Sequence, residues 1–531
     1  MPYVITQNCC KDASCVPVCP VDCIRPNQDS AGTEMLYIDP DTCIDCGACQ
    51  EVCPVDAIYS ADQLPQPLAP FAGLNAAYFD AHPLRPTDPP VPPARRTSRP
   101  STLRVAIVGA GPAGCYAATE LLGVRNVEIE LFDRLPTPFG LIRAGVAPDH
   151  QATKNVVRGF ERGLADPRLH CHFNVEIGTR ITHADLLAHH HAVIYAVGAS
   201  AGRKLGIGGE QLPGHHSAFD FVSWYNGHPD AADVEVNTSH LRAVIIGNGN
   251  VALDIARMLL LDPNRLAVTD IADHALDTLS RSMIREVVVL ARRGPREAAF
   301  SVGEFLALGD LDGVDIQLVG ADDLTGRPGD DVETAAKLDL ARSYAARPVL
   351  AGNKRLVLRF HTEPFELLGP DRVRALRVRG TGAAEAADEI STGLVISAIG
   401  YRGRPVDGLG FDDERGIVPN DRGKVVDAPG AYVTGWIKRG PRGVIGTNRT
   451  CAAETVATLL SDFDAGLLDR EISDRQALGE LLTDREITEI GWPGWLSIDA
   501  AERARGAQVS RPRRKFVTVD SLLGSALSRS T

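Results

Sequence analysis

Cys43, Cys46, Cys49 and Cys53, the last followed by Pro54, fall in the spacing C-x2-C-x2-C-x3-C-P. Thiolates so spaced suit iron-sulfur chemistry, in which three neighbours hold one cluster and the fourth reaches across to a second. A second half-site is therefore expected. Cys9, Asp12, Cys15 and Cys19, followed by Pro20, supply it as C-x2-D-x2-C-x3-C-P. Crossing the halves gives Cys19, Cys43, Cys46 and Cys49, four soft ligands for a 4Fe-4S cluster. The other set is Cys9, Cys15 and Cys53, with a carboxylate at Asp12 where a thiolate would stand. Three thiolates suit a 3Fe-4S cluster, the preferred reading, or a second 4Fe-4S cluster if Asp12 or a water completes it. Cys10, which would replace Cys9 on a one-residue shift of the loop, and Cys23 read as buried, inert thiols. Zinc also takes C-x2-C pairs, but two interlocked runs, each closed by Cys-Pro, argue against it.

Clusters pass electrons, so a donor site must lie elsewhere in the chain. Residues 105–108 read as a buried strand, followed by Gly109-Ala110-Gly111-Pro112-Ala113-Gly114 and a helix to Leu122. Gly109, Gly111 and Gly114 in that context permit a tight turn, backbone approach to a pyrophosphate and close helix packing. The next strand, 127–132, ends at Asp133, where a carboxylate can bind ribose hydroxyls. A second fingerprint, Gly247-Asn248-Gly249-Asn250-Val251-Ala252, follows the strand 244–246. After strand 287–290 come Arg292 and Arg293, where an NAD site would offer an acid. Two guanidinium groups there suit the 2′-phosphate of NADP. FAD in the first site and NADPH in the second is the expected pairing. Disulfide reductases share both fingerprints but need a redox-active C-x-x-C. Beyond residue 102 the chain has only Cys115, Cys171 and Cys451, so that reading fails.

At 531 residues the chain predicts about three domains. Pro83, Pro86, Pro89, Pro90, Pro92, Pro93 and Pro100 mark residues 83–102 as a semi-rigid linker, which raises the effective concentration of its two ends. Net charge is −13. Residues 1–60 carry nine acids against Lys11 and Arg25, a net −7 before any cluster is added. An acidic carrier docks on basic surfaces, which argues against nucleic acid as a partner. No apolar run of eighteen residues and no basic-then-apolar leader is present, so no membrane insertion is expected. Cysteines in cluster spacing need a reducing compartment, and a cytoplasmic location is expected.

Tyr3-Val4-Ile5 and Cys19-Pro20-Val21-Asp22-Cys23 make the segment up to about Phe79 resemble a bacterial dicluster ferredoxin. Three further motifs stand out: Phe139-Gly140-Leu141-Ile142-Arg143 with Val146-Ala147-Pro148-Asp149-His150; Ala291-Arg292-Arg293-Gly294-Pro295; and Gly435-Trp436-Ile437-Lys438-Arg439-Gly440-Pro441 with Gly443-Val444-Ile445-Gly446-Thr447-Asn448. On these, the chain from about Arg104 to Val519 resembles the adrenodoxin-reductase type of ferredoxin–NADP reductase. The resemblance implies that Ala113, Asp133, Leu141 and Val175 touch the adenosine half of FAD, with Trp436, Gly443, Val444 and Ile445 along the isoalloxazine. It also implies that Arg203, Asn248, Gly249, Asn250, Val251, Arg292, Arg293 and Glu304 hold NADP, with Gly443 near the nicotinamide. His150 and Glu304 are the candidates for proton handling beside the flavin; Pro148-Asp149-His150 as a structural turn is the alternative. Arg442 and Arg449 stand where the family often has lysine or threonine.

The implied fold is an α+β dicluster ferredoxin over 1–82, the linker 83–102, and an α/β flavoprotein reductase with Rossmann-like FAD and NADP domains. The FAD domain would be split into 103–240 and 375–460, the NADP domain would fill 241–374, and an extension, 461–531, would pack back on them with Trp492 and Trp495 as anchors. The implied activity is that of a ferredoxin–NADP+ reductase, in which flavin converts the two-electron hydride of NADPH into single electrons. The acceptors would be the fused clusters, an external ferredoxin or a ferredoxin-dependent oxygenase. Two rival readings make the N-terminal module a docking domain only, or make the chain an electron-input subunit similar to the small subunit of glutamate synthase; the motif from Trp436 to Asn448 argues against the second.

Overall fold

The structure, a computed structural model, describes residues 2–26, 33–84, 99, 101–381 and 387–528. Most of the expected linker, including Pro86, Pro89, Pro90, Pro92, Pro93 and Pro100, lies outside the described residues.

Near the N-terminus the apolar strand Tyr3–Ile5 pairs antiparallel with Ile58–Ser60, and Ile24–Arg25 pairs with Tyr37–Ile38. The helix Pro70–Ala81 opens on proline, whose fixed φ suits a first turn. Its buried Asn75 amide stitches the module together. Asn75 accepts from the N–H groups of Ile5 and Ile38 and donates to the carbonyls of Ile5 and Phe71. An amide buried without those partners would cost folding free energy.

The first large sheet has the order Asn420–Asp421, Lys424–Val425, Ala431–Val433, Ala192–Tyr195, Leu103–Val108, Val127–Asp133, Leu169–Phe173, the last five strands parallel. Its central strands, Ala192–Tyr195 and residues 105–108, are apolar on both faces, as a sheet covered on both sides requires. Val105 and Ile107 pack into one core, Ala106 and Val108 into another. The second sheet is wholly parallel, in the order His215–Ser217, Leu394–Ser397, Arg242–Ile246, Glu286–Leu290, Lys354–Arg359, Val314–Val319.

The expected divisions after residues 240 and 374 therefore run through this second sheet. Leu394–Ser397, assigned from sequence to the second FAD piece, is hydrogen-bonded between His215–Ser217 and Arg242–Ile246. An apolar return strand carries no local mark of which parallel sheet it will enter. The two sheets are joined by the antiparallel pair Ala201–Gly202 and Tyr401–Arg402.

Residues beyond 461 wrap both halves. Trp495 is buried edge-on to Phe139, with the Arg143 guanidinium 5.4 Å from its ring centre, and Trp492 packs beside it. Glu502 is fully buried and takes both Arg143 nitrogens, at 2.8 and 2.6 Å, and Arg513 at 3.0 Å. Two residues on, Lys515 reaches Asp270 at 2.9 Å and the Asn226 carbonyl at 3.0 Å, while Arg511 takes the Thr269 carbonyl at 2.8 Å. The segment 511–515 thus ties the Arg143 helix to the body of the second sheet. Among the described residues no helix is long and apolar enough to cross a membrane.

Two consequences are measurable. Glu502→Ala leaves the Arg143 guanidinium without its counter-charge, while Arg513 keeps Asp499, and should cost about 3–5 kcal/mol, read as a lower midpoint in chemical denaturation; an unchanged midpoint would contradict the assigned role. His172 lies between Glu130 and Glu489; burial alone would lower its pKa, but the two carboxylates outweigh burial and hold it up at about 9. Its contribution is complete below the ordinary value of about 6.5 and is lost as pH rises through about 9. Stability should therefore fall between about pH 6.5 and 9 by less in His172→Asn than in the parent chain.

Candidate redox site

Cys19, Cys43, Cys46 and Cys49 line one cavity, together with Cys23 and Ile44. Cys23 is thus no remote thiol, since its Sγ lies 3.5 Å from that of Cys19. All twelve cysteines are unpaired. Burial pushes Cys49 up to about 12 and Cys9 up to about 11, so these thiols become ligands only with a cation to hold the thiolate charge. That donor set fits a metal cluster. Cys9, Cys15 and Cys53 gather on the opposite side, where Cys9 and Cys53 touch the core under the first fingerprint. Asp12 does not turn towards them. Its Oδ2 accepts the Tyr116 hydroxyl at 2.6 Å, and its Oδ1 takes the hydroxyl and N–H of Ser14.

Both fingerprints sit at the carboxyl ends of parallel strands, where open α/β sheets bind ligands. A Cβ on Gly109 would meet the Ala196 carbonyl at 2.5 Å, and one on Gly114 would overlap the Gly109 carbonyl, so neither side chain is tolerated. The helices Pro112–Leu122 and Asn250–Leu260 start on Gly111 and Gly249 with no side-chain cap, whereas Thr182, Ser217, Ser301 and Asp474 cap theirs. Open N–H groups at such helix starts suit a diphosphate. Around the first fingerprint, Asp133 accepts from the Ala110 N–H at 2.8 Å, Val175 donates to the Asp133 carbonyl, and Leu141 lies on the short helix Gly140–Ala144. Around the second, Arg292 and Arg293 are exposed and form no ion pair among the described residues, while Arg203 donates to the Tyr401 carbonyl at 3.3 Å.

Trp436 is brought to the first fingerprint by Gly435, at φ +72°, whose missing Cβ makes room for Ala113. The indole stacks on Tyr401 at 5.8 Å. Beyond it lies a charged cluster that the sequence reading caught only in part. His150 Nδ1 is 3.8 Å from Glu304 Oε1, and both are held by the buried Arg257. Arg257 also binds Asp149 at 2.6 Å and Asp254 at 2.5 Å. Burial and Glu304 push Asp254 upward, while Arg257 overcomes burial and holds Asp149 down. The available signal was Asp254 and Arg257 on the fingerprint helix itself, an acid and a base at i, i+3.

The N-terminal module is seated on this site. The Gly446 N–H donates to the Cys10 carbonyl at 2.8 Å, Arg449 donates to the Asp12 carbonyl at 2.7 Å, and Cys10 is buried in the core beneath. A Cβ on Gly446 would lie inside the Lys11 carbonyl. The turn Gly443, Val444 and Ile445 thus abuts the loop that carries Cys9 and Cys15. On the other flank Glu34 reaches Asn250, Tyr37 reaches Glu333 at 2.6 Å, and Phe71 packs on Val302.

Residues 36–59 match the family described as "4Fe-4S binding domain" and residues 103–293 the one described as "Pyridine nucleotide-disulphide oxidoreductase". A probable ferredoxin/ferredoxin–NADP reductase of Mycobacterium tuberculosis is 48% identical, covering 99% of this chain and 95% of that one. The chain belongs to the ferredoxin/ferredoxin–NADP reductase family. A relative of the same description from Mycobacterium leprae is 47% identical over 99% of this chain and 98% of that one. The solved structure of Mycobacterium tuberculosis FprA in complex with NADPH is 41% identical, with a TM-score of 0.76, over 80% of this chain and all of that one.

In this reductase the contact that seats the module is testable at one atom. Gly446→Ala should unseat the loop 9–15 and slow reduction of the clusters by NADPH at least about tenfold, since tethered groups lose their advantage when geometry fails. Stopped-flow spectra that separate flavin bleaching from cluster bleaching would show it; equal cluster rates in both proteins would contradict it.

Proposed function

We propose that the chain is a ferredoxin–NADP+ reductase that sends electrons through its own N-terminal clusters before any outside acceptor. The observation that carries this reading is the seating of the Cys9–Cys15 loop on Gly446 and Arg449, directly after the Gly443–Ile445 turn. When bound, FAD would accept hydride from NADPH and supply single electrons to iron-sulfur clusters. Gly109, Gly111, Ala113, Gly114, Asp133, Leu141 and Val175 would hold its adenosine half, with Trp436, Gly443, Val444 and Ile445 along the ring system. Asn248, Gly249, Asn250 and Val251 would take the NADP diphosphate, Arg292 and Arg293 its 2′-phosphate, and Arg203 and Glu304 the remainder.

Cys19, Cys43, Cys46 and Cys49 would hold a 4Fe-4S cluster. Cys9, Cys15 and Cys53 would hold a 3Fe-4S cluster, because the Asp12 carboxylate is engaged by Tyr116 and Ser14. Arg257 fixes His150 and Glu304 so that a proton on His150 Nδ1 faces a carboxylate, the arrangement a proton-handling pair needs. With Gly446 covered by the Lys11 loop, an outside acceptor would approach Cys46, the exposed cysteine. Asp41, Asp45 and Glu51 are exposed around it, and Ile44 is 58% exposed. That face suits a ferredoxin-dependent protein with a basic surface. Free thiols throughout suit a reducing, cytoplasmic setting.

Anaerobic titration with NADPH, followed by optical and low-temperature paramagnetic resonance spectra, tests the relay. Flavin and at least one cluster should be reduced, and a 3Fe-4S signal should be present in the oxidised protein. Flavin bleaching with both clusters unchanged would favour the docking-only role of residues 1–82. The double variant Arg292→Ala, Arg293→Ala should raise the NADPH KM at least about tenfold and leave NADH nearly unaffected, as loss of charge-assisted phosphate contacts predicts.

A further inference from the structure

The second fingerprint receives a side chain from outside its own domain. Glu34, on the N-terminal module, accepts from Asn250 Nδ2 at 2.7 Å. The orientation of that amide is fixed, because Asn250 Oδ1 accepts the Ser301 N–H at 2.7 Å. The amide NH2 group therefore faces Glu34. Asn250 opens the helix Asn250–Leu260, whose start has no side-chain cap, and a Cβ on Gly249 would meet nothing within 4 Å. The positive end of a helix attracts anions. Here a protein carboxylate already stands beside the end at which a dinucleotide diphosphate would arrive.

Glu333 adds a like charge beside Glu34, and the Lys337 and Lys11 cations offset part of the pair's negative field. Glu34 is held in place by the interface around it: Tyr37 on Glu333, and Phe71, Val4 and Leu74 on Val302. It is not a loose surface acid that can swing away without loosening the module.

We propose that Glu34 is a positioning residue through which the docked N-terminal module sets the affinity of the NADP site. It aims the Asn250 amide and weakens dinucleotide binding by repulsion, so NADP(H) binding and seating of the module at this loop oppose one another. The coupling is reciprocal: by whatever factor seating weakens NADP(H), bound NADP(H) weakens seating. The inference rests on the reading of the second fingerprint as the NADP site.

Glu34→Gln keeps an acceptor for Asn250 Nδ2 and removes the charge. With ferricyanide as acceptor, steady-state rates depend on NADPH and flavin without needing the clusters. The KM for NADPH should fall about three- to tenfold at low ionic strength, as expected for one charge removed near a polyanion, with kcat little changed. The difference should close as salt screens it. Tyr37→Phe loosens the same interface without removing the Glu34 charge and, through the coupling, should lower the KM in the same direction but by less than Glu34→Gln. An unchanged KM in Glu34→Gln, or a fall there no greater than in Tyr37→Phe, would overturn the proposal while the NADP site stands. Failure of the parent chain to bind NADPH at all would overturn the site itself and the proposal with it.

Discussion

The rest of the molecule depends on a contact too close for any side chain, the Gly446 backbone against Lys11 and Asp12. Interiors pack like crystals, so this approach fixes where the N-terminal module sits to within a fraction of an ångström. The hydrogen bonds from Gly446 to Cys10 and from Arg449 to Asp12 then fix its rotation. Electron transfer needs short, repeatable distances, and a proline-rich tether alone supplies only proximity. The glycine contact supplies position.

That seat needs a rigid base, and the base is built from parts far apart in sequence. The first sheet takes a strand from Ala431–Val433 beside Ala192–Tyr195, and the second takes Leu394–Ser397 beside Arg242–Ile246. Among the described residues the strand link between the two sheets is the short pair Ala201–Gly202 and Tyr401–Arg402. A two-strand connection is a poor brace by itself. The buried charges of the C-terminal segment, Glu502 on Arg143 and Lys515 on Asp270, cross-link the halves a second time. Buried ion pairs are weak sources of stability but strong constraints on geometry once formed, because breaking one strands a charge.

Sequence made the chemistry legible wherever it depends on local spacing. The crossed cysteine set reads directly from C-x2-C-x2-C-x3-C-P, and its four members line one cavity. Both fingerprints, in which Gly109, Gly114 and Gly247 tolerate no Cβ, were equally plain. What stayed hidden depends on contacts between remote residues. Tyr116 meets Asp12 from 104 residues away, and Asn250 meets Glu34 from 216. A tyrosine on a fingerprint helix or a glutamate beside an apolar strand carries no mark of such a partner. The sheet membership of Leu394–Ser397 was hidden for the same reason. Arg449, noticed only as a departure from the family pattern, is explained by the module it holds.

Asp12 joins these two halves of the argument. In a symmetric dicluster module both half-sites would spend four side chains on metal, and their loops would be closed around it. With aspartate at the second position of its run, one loop has a carboxylate to spare. Tyr116 and Ser14 take that carboxylate, and Arg449 takes the carbonyl of the same residue. The residue that breaks the four-cysteine spacing is therefore also the one that makes a docking contact. It seats the loop of Cys9 and Cys15 against Gly446 and Arg449, while Cys46, at the matching position of the other run, stays exposed.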